Sequence, residues 1–299
     1  MSRTFVSARS LDEALSVLAT GARAIAGGTD LVVAARSGKA VLPDSLLAIG
    51  ELEELRGVEH GNGRMQLGAL ATHAEIAADE VVRARYSALA DACAIVGSEA
   101  TRAHGTVGGN LMNASPAMET GGPLLCFGAT VTLRSRRGSR EVSVADLLVG
   151  PGSTSATPDE LLTAVDVPEP APGVGSAYVR LEYRRQMEIA VVGATCLVVL
   201  EDDQVVDARI AITALAPTVR RVPGSESALT GSDGGRQAAA AAAEAAARAS
   251  APIDDVRASA DYRRAVGAVM TRRAIEAAVA RVRADEVPVP ASDSTYANR

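Results

Sequence analysis

Residues 101–120 read Thr-Arg-Ala-His-Gly-Thr-Val-Gly-Gly-Asn-Leu-Met-Asn-Ala-Ser-Pro-Ala-Met-Glu-Thr. This 101–120 stretch contains three glycines, two asparagines, several hydroxyl side chains and no lysine. Glycine lets the main chain approach a ligand that a Cβ would push away, and successive backbone N–H groups can bind an anion. The stretch is therefore predicted to be a loop that can wrap a phosphate through its backbone.

A second glycine-rich segment, the first glycine turn, lies nearer the N-terminus in Ala24–Val33, which reads AIAGGTDLVV. A short apolar run typical of a strand ends at Gly27-Gly28, and a segment with helical periodicity begins at Leu31. A turn between a strand and a helix points backbone donors at whatever lies beyond the strand end. Two donor-rich turns suit a diphosphate better than one.

Length and composition predict a soluble protein of several domains. The 299 residues are enough for two or three domains, since one domain takes about 100–200 residues. Hydrophobic residues make up 47%, yet no apolar run reaches the roughly 18 residues that a membrane span requires. The N-terminal residues show no apolar segment of the secretory type, so the expected compartment is the cytoplasm.

Charge and cysteine content exclude two classes of function. The formal charge is −6, and no basic cluster exceeds Arg134–Arg140, which argues against nucleic acid as a partner. Cys93, Cys126 and Cys196 are far apart and never in a C-x-x-C spacing, so they are expected to be buried free thiols. The sequence therefore predicts no metal site in this chain.

Residues 3–55 are predicted to form a β-α-β unit. Ser10 precedes two acidic residues and a helical apolar pattern, so it is expected to cap a helix over Leu11–Ala19. The other elements expected here are the strands Arg23–Ala26 and Ser45–Ile49 and the helix Leu31–Arg36. The first glycine turn then lies at the carboxyl end of a strand, where open α/β sheets bind ligands.

Residues 56–172 are predicted to form a second unit, and residues 173–286 a separate α+β domain. The second unit is expected to contain the strands Met65–Ala69, Ala129–Arg134, Val142–Leu148 and Leu161–Val167, the short helix His73–Ala78 and one longer helix, Val81–Val96. Pro168, Pro170 and Pro172 then break the pattern. After them come three predicted antiparallel strands, Ala177–Tyr183, Val191–Glu201 and Val205–Leu215, and the helices Arg236–Ala249 and Ala258–Arg283. The tail, residues 287–299, is expected to be mobile or to dock on a partner.

Four motifs, in order and spacing, carry a resemblance to a known family. They are Ala26-Gly-Gly-Thr-Asp-Leu31, Leu67-Gly-Ala-Leu-Ala-Thr-His-Ala-Glu-Ile76, Gly105-Thr-Val-Gly-Gly-Asn110 with Ala114-Ser-Pro116, and Tyr183-Arg-Arg-Gln-Met-Glu-Ile-Ala190. Together they resemble the FAD-binding medium subunit of molybdenum hydroxylases of the xanthine dehydrogenase and carbon monoxide dehydrogenase type. The resemblance covers about residues 3–284.

The resemblance implies a fold and a role. The fold is of the α+β class: a two-lobed α/β FAD-binding domain of the PCMH-like type over residues 1–172, then a C-terminal domain with a three-stranded antiparallel sheet and helices. The role is electron transfer through FAD from two 2Fe–2S clusters of a small subunit, in a complex whose large subunit carries the molybdenum cofactor. A dimer of heterotrimers is implied. The electron acceptor stays open between NAD⁺, a quinone, oxygen and a protein carrier.

The resemblance also implies which residues line the FAD, and it implies no catalytic residue. From the first glycine turn these are Ile25, Ala26, Gly27, Gly28, Thr29, Asp30 and Leu31. From the rest of the chain they are His73, Thr106, Val107, Gly108, Gly109, Asn110, Met112, Ala114, Glu119, Arg180 and Ile189. Glu119 stands where the family usually has an aspartate on the sugar side of the flavin, and Arg180 where the family has a cation near the ring.

Each assignment has a structural alternative. Glu119 could be a loop acid that faces solvent, and Arg180 a surface charge on a strand. Met112 could be an ordinary core methionine, and His73 a structural histidine. Glu188 is expected to pair with Arg184 or to cap a turn, and Ile189 to lie over or beside the ring.

Two other classes of function remain beside the electron-transfer subunit. A scaffold or assembly protein with the same fold would have lost the flavin, and it would tolerate bulky residues at Gly27, Gly28, Gly108 and Gly109. A free-standing flavin oxidase would need a substrate pocket with a general base. All four positions are glycine, and the few His and Tyr residues are scattered.

Overall fold

The N-terminal lobe is a small unit built on a three-stranded parallel sheet. A computed structural model describes the backbone of residues 3–295 and the side chains of residues 3–293. The elements of the lobe are β1 (Thr4–Ser7), α1 (Leu11–Leu18), β2 (Arg23–Ile25), α2 (Leu31–Arg36) and β3 (Ser45–Ala48). The strands are parallel in the order β1-β3-β2. The β-α-β prediction is confirmed.

Helix α1 forms where the sequence predicts it, because the N-cap residue and the row of apolar side chains both indicate the same helix. The Ser10 hydroxyl accepts a hydrogen bond from the Glu13 N–H at 3.2 Å, which satisfies one of the free donors of the first turn. The buried residues of the helix are Leu11, Ala14, Leu15 and Leu18. Their spacing of three and four places them on one face, which packs into the core of this lobe.

The second lobe is built on an antiparallel five-stranded sheet in the order β4-β5-β10-β6-β7. Its elements along the chain are β4 (Val58–Gly61), β5 (Arg64–Gly68), α3 (His73–Ala78), α4 (Glu80–Arg85), α5 (Ser87–Ile95), α6 (Glu99–His104), α7 (Val107–Asn113), α8 (Gly121–Phe127), β6 (Thr130–Ser135), β7 (Gly138–Ser143), α9 (Val144–Leu147), β8 (Leu148–Gly150), β9 (Ser153–Thr154) and β10 (Leu161–Pro168).

Three predictions for this lobe are wrong. The helix expected over Val81–Val96 is two helices, because Tyr86 leaves helical geometry (φ −121°, ψ 41°) while its buried ring packs on Phe127. The strand expected over Val142–Leu148 ends at Ser143, whose hydroxyl caps α9 by accepting the Asp146 N–H at 3.0 Å. The 101–120 stretch is not an open loop. It contains the C-terminal part of α6, all of α7 and Thr120, which is the N-cap residue of α8.

The C-terminal domain packs a sheet against helices. Its elements are β11 (Val174–Leu181), β12 (Val192–Glu201), β13 (Gln204–Thr213), β14 (Arg220–Arg221), α10 (Pro223–Leu229), α11 (Arg236–Ala249) and α12 (Ala260–Val282). The sheet is antiparallel in sequence order, so the three predicted strands are confirmed and a fourth, of only two residues, is added. The alanine-rich helix spans the range that its composition predicts.

The strand β11 joins the two domains because alternate residues face opposite sides. Ala177 and Val179 belong to the core of the C-terminal domain, whereas Tyr178 packs into the core of the second lobe. On that second face lie Ser176, which bonds to the Ser87 hydroxyl at 3.1 Å, and Arg180, which is fully buried. The interface between the domains is therefore polar as well as buried.

The tail is not free in this fold. Val287 packs against the core of the C-terminal domain, and Ala291 and Ser292 are buried, at 0% and 2% exposure. The Ala291 N–H donates to Asp91 Oδ1 at 2.9 Å. The expectation of a mobile or partner-docked tail is thus wrong for residues 287–293, which dock on their own chain; residues 296–299 lie outside the described residues. Within residues 3–295 no helix has the length and apolar character to cross a membrane.

Candidate functional site

The fold brings the first glycine turn and the 101–120 stretch into direct main-chain contact. A Cβ on Gly27 would lie 1.8 Å from the carbonyl oxygen of His104. The Thr29 hydroxyl would lie 3.5 Å from a Cβ on Gly105. Glycine at these positions therefore lets two backbone segments from different lobes touch, which the sequence could indicate only as two separate turns.

The first glycine turn presents a row of unused backbone donors. The N–H groups of Gly27, Gly28, Thr29, Asp30 and Leu31 make no hydrogen bond with any residue that the structure describes. Gly28 has φ +69°, which turns the chain from β2 into α2. The turn is partly exposed, so these donors can face a ligand. Such a row of N–H groups at a helix start is suited to an anion.

Most backbone N–H groups of the 101–120 stretch already donate to other groups of the protein. Val107 and Gly108 donate to the carbonyls of Ala71 and Ala69, both at 3.0 Å. The Gly109 N–H donates to the Thr106 hydroxyl at 3.1 Å, which is the cap of α7, and the Asn110 N–H donates to the Thr106 carbonyl. The expectation of many free N–H groups here is therefore wrong for Val107–Asn110.

The 101–120 stretch has two other hydrogen-bond donors that remain available to a ligand. The Thr106 N–H makes no hydrogen bond to the described residues. The Thr120 hydroxyl donates to Asn110 Oδ1 at 2.6 Å, which directs the amide nitrogen of Asn110 away from Thr120 and leaves it to donate. Asn110 is half-buried, whereas Gly109 is exposed.

His73 is a structural support of the site. His73 is 2% exposed, its main-chain N–H donates to the Gly105 carbonyl at 3.0 Å, and its ring Nδ1 lies 3.7 Å from Cys93 Sγ. Burial, aided by the charge of Arg102, lowers the pKa of His73 to about 4. His73 is thus a neutral ring beneath the turn at Gly105, as its structural alternative predicts.

The lowered pKa of His73 predicts a pH dependence of stability. The unfolded chain binds a proton on this ring near pH 6.5 and the folded chain only near pH 4, so the unfolded state holds more protons in between. The free energy of unfolding contributed by this site is therefore full above pH 6.5 and falls by about 2 kcal/mol between pH 7 and pH 5. Urea unfolding of the wild type and of His73→Gln at both pH values measures it. Equal pH dependence in the two proteins would contradict the assignment.

Glu119 and Arg180 are joined in a buried ionic cluster. Arg180 is fully buried, and its Nη1 lies 2.5 Å from Glu119 Oε1 while its Nε lies 2.7 Å from Glu182 Oε2. Burial raises the pKa of the Glu119 carboxyl, and Arg180 opposes that rise. The alternatives of a loop acid facing solvent and of a surface arginine are therefore both wrong.

This cluster changes the electrostatic meaning of Arg180. Two carboxylates surround one guanidinium, so Arg180 does not act as an isolated positive charge. Glu182 lies one residue beyond the end of β11 and two beyond Arg180, and the sequence motifs give no signal for its role. Arg180 is better described as the cation that holds two acids in the domain interface.

The loop of residues 182–190 follows β11 and lies against the 101–120 stretch. The Met187 N–H donates to the Gly97 carbonyl at 2.8 Å, and the Thr101 hydroxyl lies 3.7 Å from Met187 Sδ. Ile189 is 46% exposed, so it is available to a ligand. Arg184 Nε lies 3.2 Å from Glu188 Oε2, the pairing expected for this loop.

Met112, Ala114 and Ile25, three further candidate site residues, contact either the core of the second lobe or the first glycine turn. Met112 is half-buried and packs against the core of the second lobe, as a core methionine does. Ala114 ends α7 in the left-handed conformation (φ 46°) and is buried. Ile25 contacts the turn from below, since its Cδ1 would lie 3.2 Å from a Cβ on Gly28.

Comparison with known proteins decides the family. The family model for the FAD-binding domain of molybdopterin dehydrogenases matches residues 1–170, more than half of the chain. The chain belongs to this family. A second model, the C-terminal domain of the CO dehydrogenase flavoprotein, matches residues 177–278. The two matches meet near the proline-rich segment that the sequence marks as a break.

Relatives of this FAD-binding family match the chain over nearly its whole length. The carbon monoxide dehydrogenase medium chain of Hydrogenophaga pseudoflava is 30% identical over 91% of this chain and 96% of its own. The alpha subunit of the 6-hydroxypseudooxynicotine dehydrogenase complex of Paenarthrobacter nicotinovorans is 32% identical over 93% and 95%. The solved structure of the Hydrogenophaga pseudoflava enzyme that lacks the Mo-pyranopterin moiety matches with a TM-score of 0.90, at 29% identity over 94% of this chain and 98% of the other.

The residues of the first glycine turn fit the phosphates of FAD. Unpaired N–H groups that lie beside one another can each give a hydrogen bond to a charged oxygen, worth about 1.5–3 kcal/mol. A Cβ on Gly28 would lie 3.2 Å from Ile25 Cδ1 and 3.3 Å from Val32 Cγ2, and its φ is +69°, so glycine suits the turn that presents these donors. The chain is an FAD-dependent oxidoreductase subunit of a molybdenum hydroxylase.

Proposed function

We propose that this chain holds one FAD between the first glycine turn and the 101–120 stretch, and that it passes electrons from the iron–sulfur clusters of a partner subunit to an external acceptor. The observation that carries the proposal is the row of unpaired N–H groups from Gly27 to Leu31, placed against the second stretch by the contact between Gly27 and His104. Bound FAD supplies reversible electron storage and transfer, which no side chain of this protein can supply.

The first glycine turn and the 101–120 stretch together form what we call the FAD cradle. Each part of this cradle has a distinct task in the proposal. The N–H groups of the first glycine turn and the Thr29 hydroxyl bind the pyrophosphate. The Thr106 N–H and the amide of Asn110 bind from the opposite side, while Val107, Gly108 and Gly109 fix the backbone through their internal hydrogen bonds. His73 supports Gly105 from beneath as a neutral ring.

The ring end of the flavin is assigned to the second lobe and the 182–190 loop. Ile189 is one of the exposed apolar side chains of that loop, together with Met187, and is proposed to lie beside the ring. Met112 and Ala114 border the same region of the 101–120 stretch. Glu119 and Arg180 act behind it, since both are buried and bonded to each other.

We further propose that the chain works in the cytoplasm with a large subunit that carries the molybdenum cofactor and a small subunit that carries 2Fe–2S clusters, as a dimer of heterotrimers. Support comes from relatives whose names call them medium chains or subunits of complexes. The chemical division agrees with the cysteines, because each 2Fe–2S cluster needs four ligands and all three thiols here are buried and free.

A reductive titration tests the electron-transfer role against a flavin-free scaffold. Under anaerobic conditions the chain incubated with FAD and then freed of unbound FAD by gel filtration should take up about two electrons per chain from dithionite, with loss of the oxidised flavin bands, and should return them to ferricyanide. A scaffold would take up none. The unpaired donors favour the flavoprotein, since exposed N–H groups in such a row have no use in a scaffold.

A further inference from the structure

The described end of the tail, Pro288–Asp293, closes the chain back onto the domain interface. The Ser292 hydroxyl accepts a hydrogen bond from the Arg180 N–H at 3.1 Å, and both residues are buried, at 2% and 0% exposure. The Ala291 N–H donates to Asp91 Oδ1, and Arg281 Nη2 donates to the Pro288 carbonyl at 2.8 Å. Three elements of two domains therefore hold this short segment.

From Ser292 a continuous set of contacts leads to the FAD cradle. Arg180, whose main chain Ser292 holds, binds Glu119 through its guanidinium at 2.5 Å. Glu119 precedes Thr120, and the Thr120 hydroxyl donates to Asn110 Oδ1 at 2.6 Å. Asn110 is one of the donors that face the ligand. Each step in this path is a direct hydrogen bond or one peptide link.

We propose that Ser292 is a positioning residue for the FAD site. By holding the main chain of Arg180, it fixes Glu119 and, through Thr120, the orientation of the Asn110 amide. The inference rests on the proposed FAD site. It assigns to the described part of the C-terminal tail, which follows α12, a role in cofactor binding.

The physical reason lies in the geometry of β11. Arg180 is the second-last residue of the strand, where the 182–190 loop begins, so its main chain is held by the sheet on one side and by Ser292 on the other. A buried N–H that loses its acceptor must find another or move toward water. Movement at Arg180 shifts the guanidinium that fixes Glu119, and the Asn110 amide loses its orientation.

Three serine variants of the full chain test the proposal by the dissociation constant of FAD. Ser292→Ala should raise that constant about tenfold, and Ser292→Thr, which keeps the hydroxyl, should restore most of the affinity. The matched control is Ser225→Ala, because Ser225 is also fully buried and gives one hydrogen bond, to the Ala242 carbonyl at 2.6 Å, far from this path. It should lower the unfolding midpoint and leave the FAD affinity unchanged.

The outcomes separate positioning from mere stability. If Ser292→Ala and Ser225→Ala lower the unfolding midpoint alike and neither changes FAD affinity, the proposal is overturned. If the wild-type chain itself binds no FAD, the proposed function fails instead. Asp293→Ala removes an exposed ion pair, 3.4 Å from Arg185 to Asp293, and should change the FAD dissociation constant by no more than about twofold.

Discussion

Gly27→Ala is expected to weaken FAD binding by at least a hundredfold while the C-terminal domain stays folded. The new methyl group would lie 1.8 Å from the His104 carbonyl oxygen, far inside van der Waals contact, and that oxygen belongs to main chain that cannot rotate away. The first glycine turn and the 101–120 stretch must therefore separate. Overpacking of this kind costs about 1–3 kcal/mol or more, and loss of the aligned donors adds to the effect on binding.

A matched glycine provides the control for this prediction. Gly50 lies in the same lobe, has no heavy atom within 4 Å of an added Cβ and does not have a positive φ. Gly50→Ala should keep the affinity for FAD, as measured by flavin fluorescence titration. Circular dichroism and unfolding of both variants check that the fold is intact. Full FAD occupancy in Gly27→Ala would mean that the contact between the two segments does not build the site.

Asp91→Ala is expected to lower the free energy of unfolding by about 3–5 kcal/mol, because it removes one partner of a buried ion pair. Asp91 is fully buried on α5, and its carboxylate accepts both terminal nitrogens of Arg281, at 2.6 and 2.8 Å. It also accepts the N–H groups of Tyr178 and Ala291. Its removal takes the counter-charge from Arg281, whose nitrogens still donate to the carbonyls of Ser176 and Pro288, and removes an acceptor from the N–H groups of Tyr178 and Ala291 at the junction of both domains and the tail.

Urea unfolding measures this effect, and a surface acid is the comparison. Asp261→Ala removes the exposed pair with Arg264 on α12 and should cost less than about 1 kcal/mol. We expect Asp91→Ala also to separate the unfolding of the FAD-binding domain from that of the C-terminal domain, because the shared ion pair couples them. A loss no larger than that of Asp261→Ala would show that Asp91 and Arg281 do not hold the domains together.

Local signals were enough to predict the elements whose ends are fixed by neighbouring residues. The helix His73–Ala78 is found at its predicted bounds because Thr72 and Glu75 form a reciprocal cap within four residues of sequence. The pair Gly27-Gly28 correctly indicated a turn, whereas Gly108 and Gly109 lie within the helix α7. The resemblance correctly indicated the family and the division into two domains of different architecture.

The features that sequence reasoning missed depend on contacts between distant residues. The break at Tyr86 is associated with a ring that packs on Phe127. Ala291 and Asp91 bond across 200 positions, so no local pattern could show that the tail is docked. The N–H groups of Val107 and Gly108 donate to the carbonyls of Ala71 and Ala69, which follow β5, and the glycine-rich stretch there is helical. The acids around Arg180 come from two domains.

The most direct test of the account is the absorption spectrum of the purified chain, followed by release of its chromophore in acid. We expect the bands of an oxidised flavin and close to one FAD per chain, held by the backbone donors of Gly27–Leu31. A colourless chain that takes up no added FAD, and that stays colourless when it is produced together with its partner subunits, would contradict it.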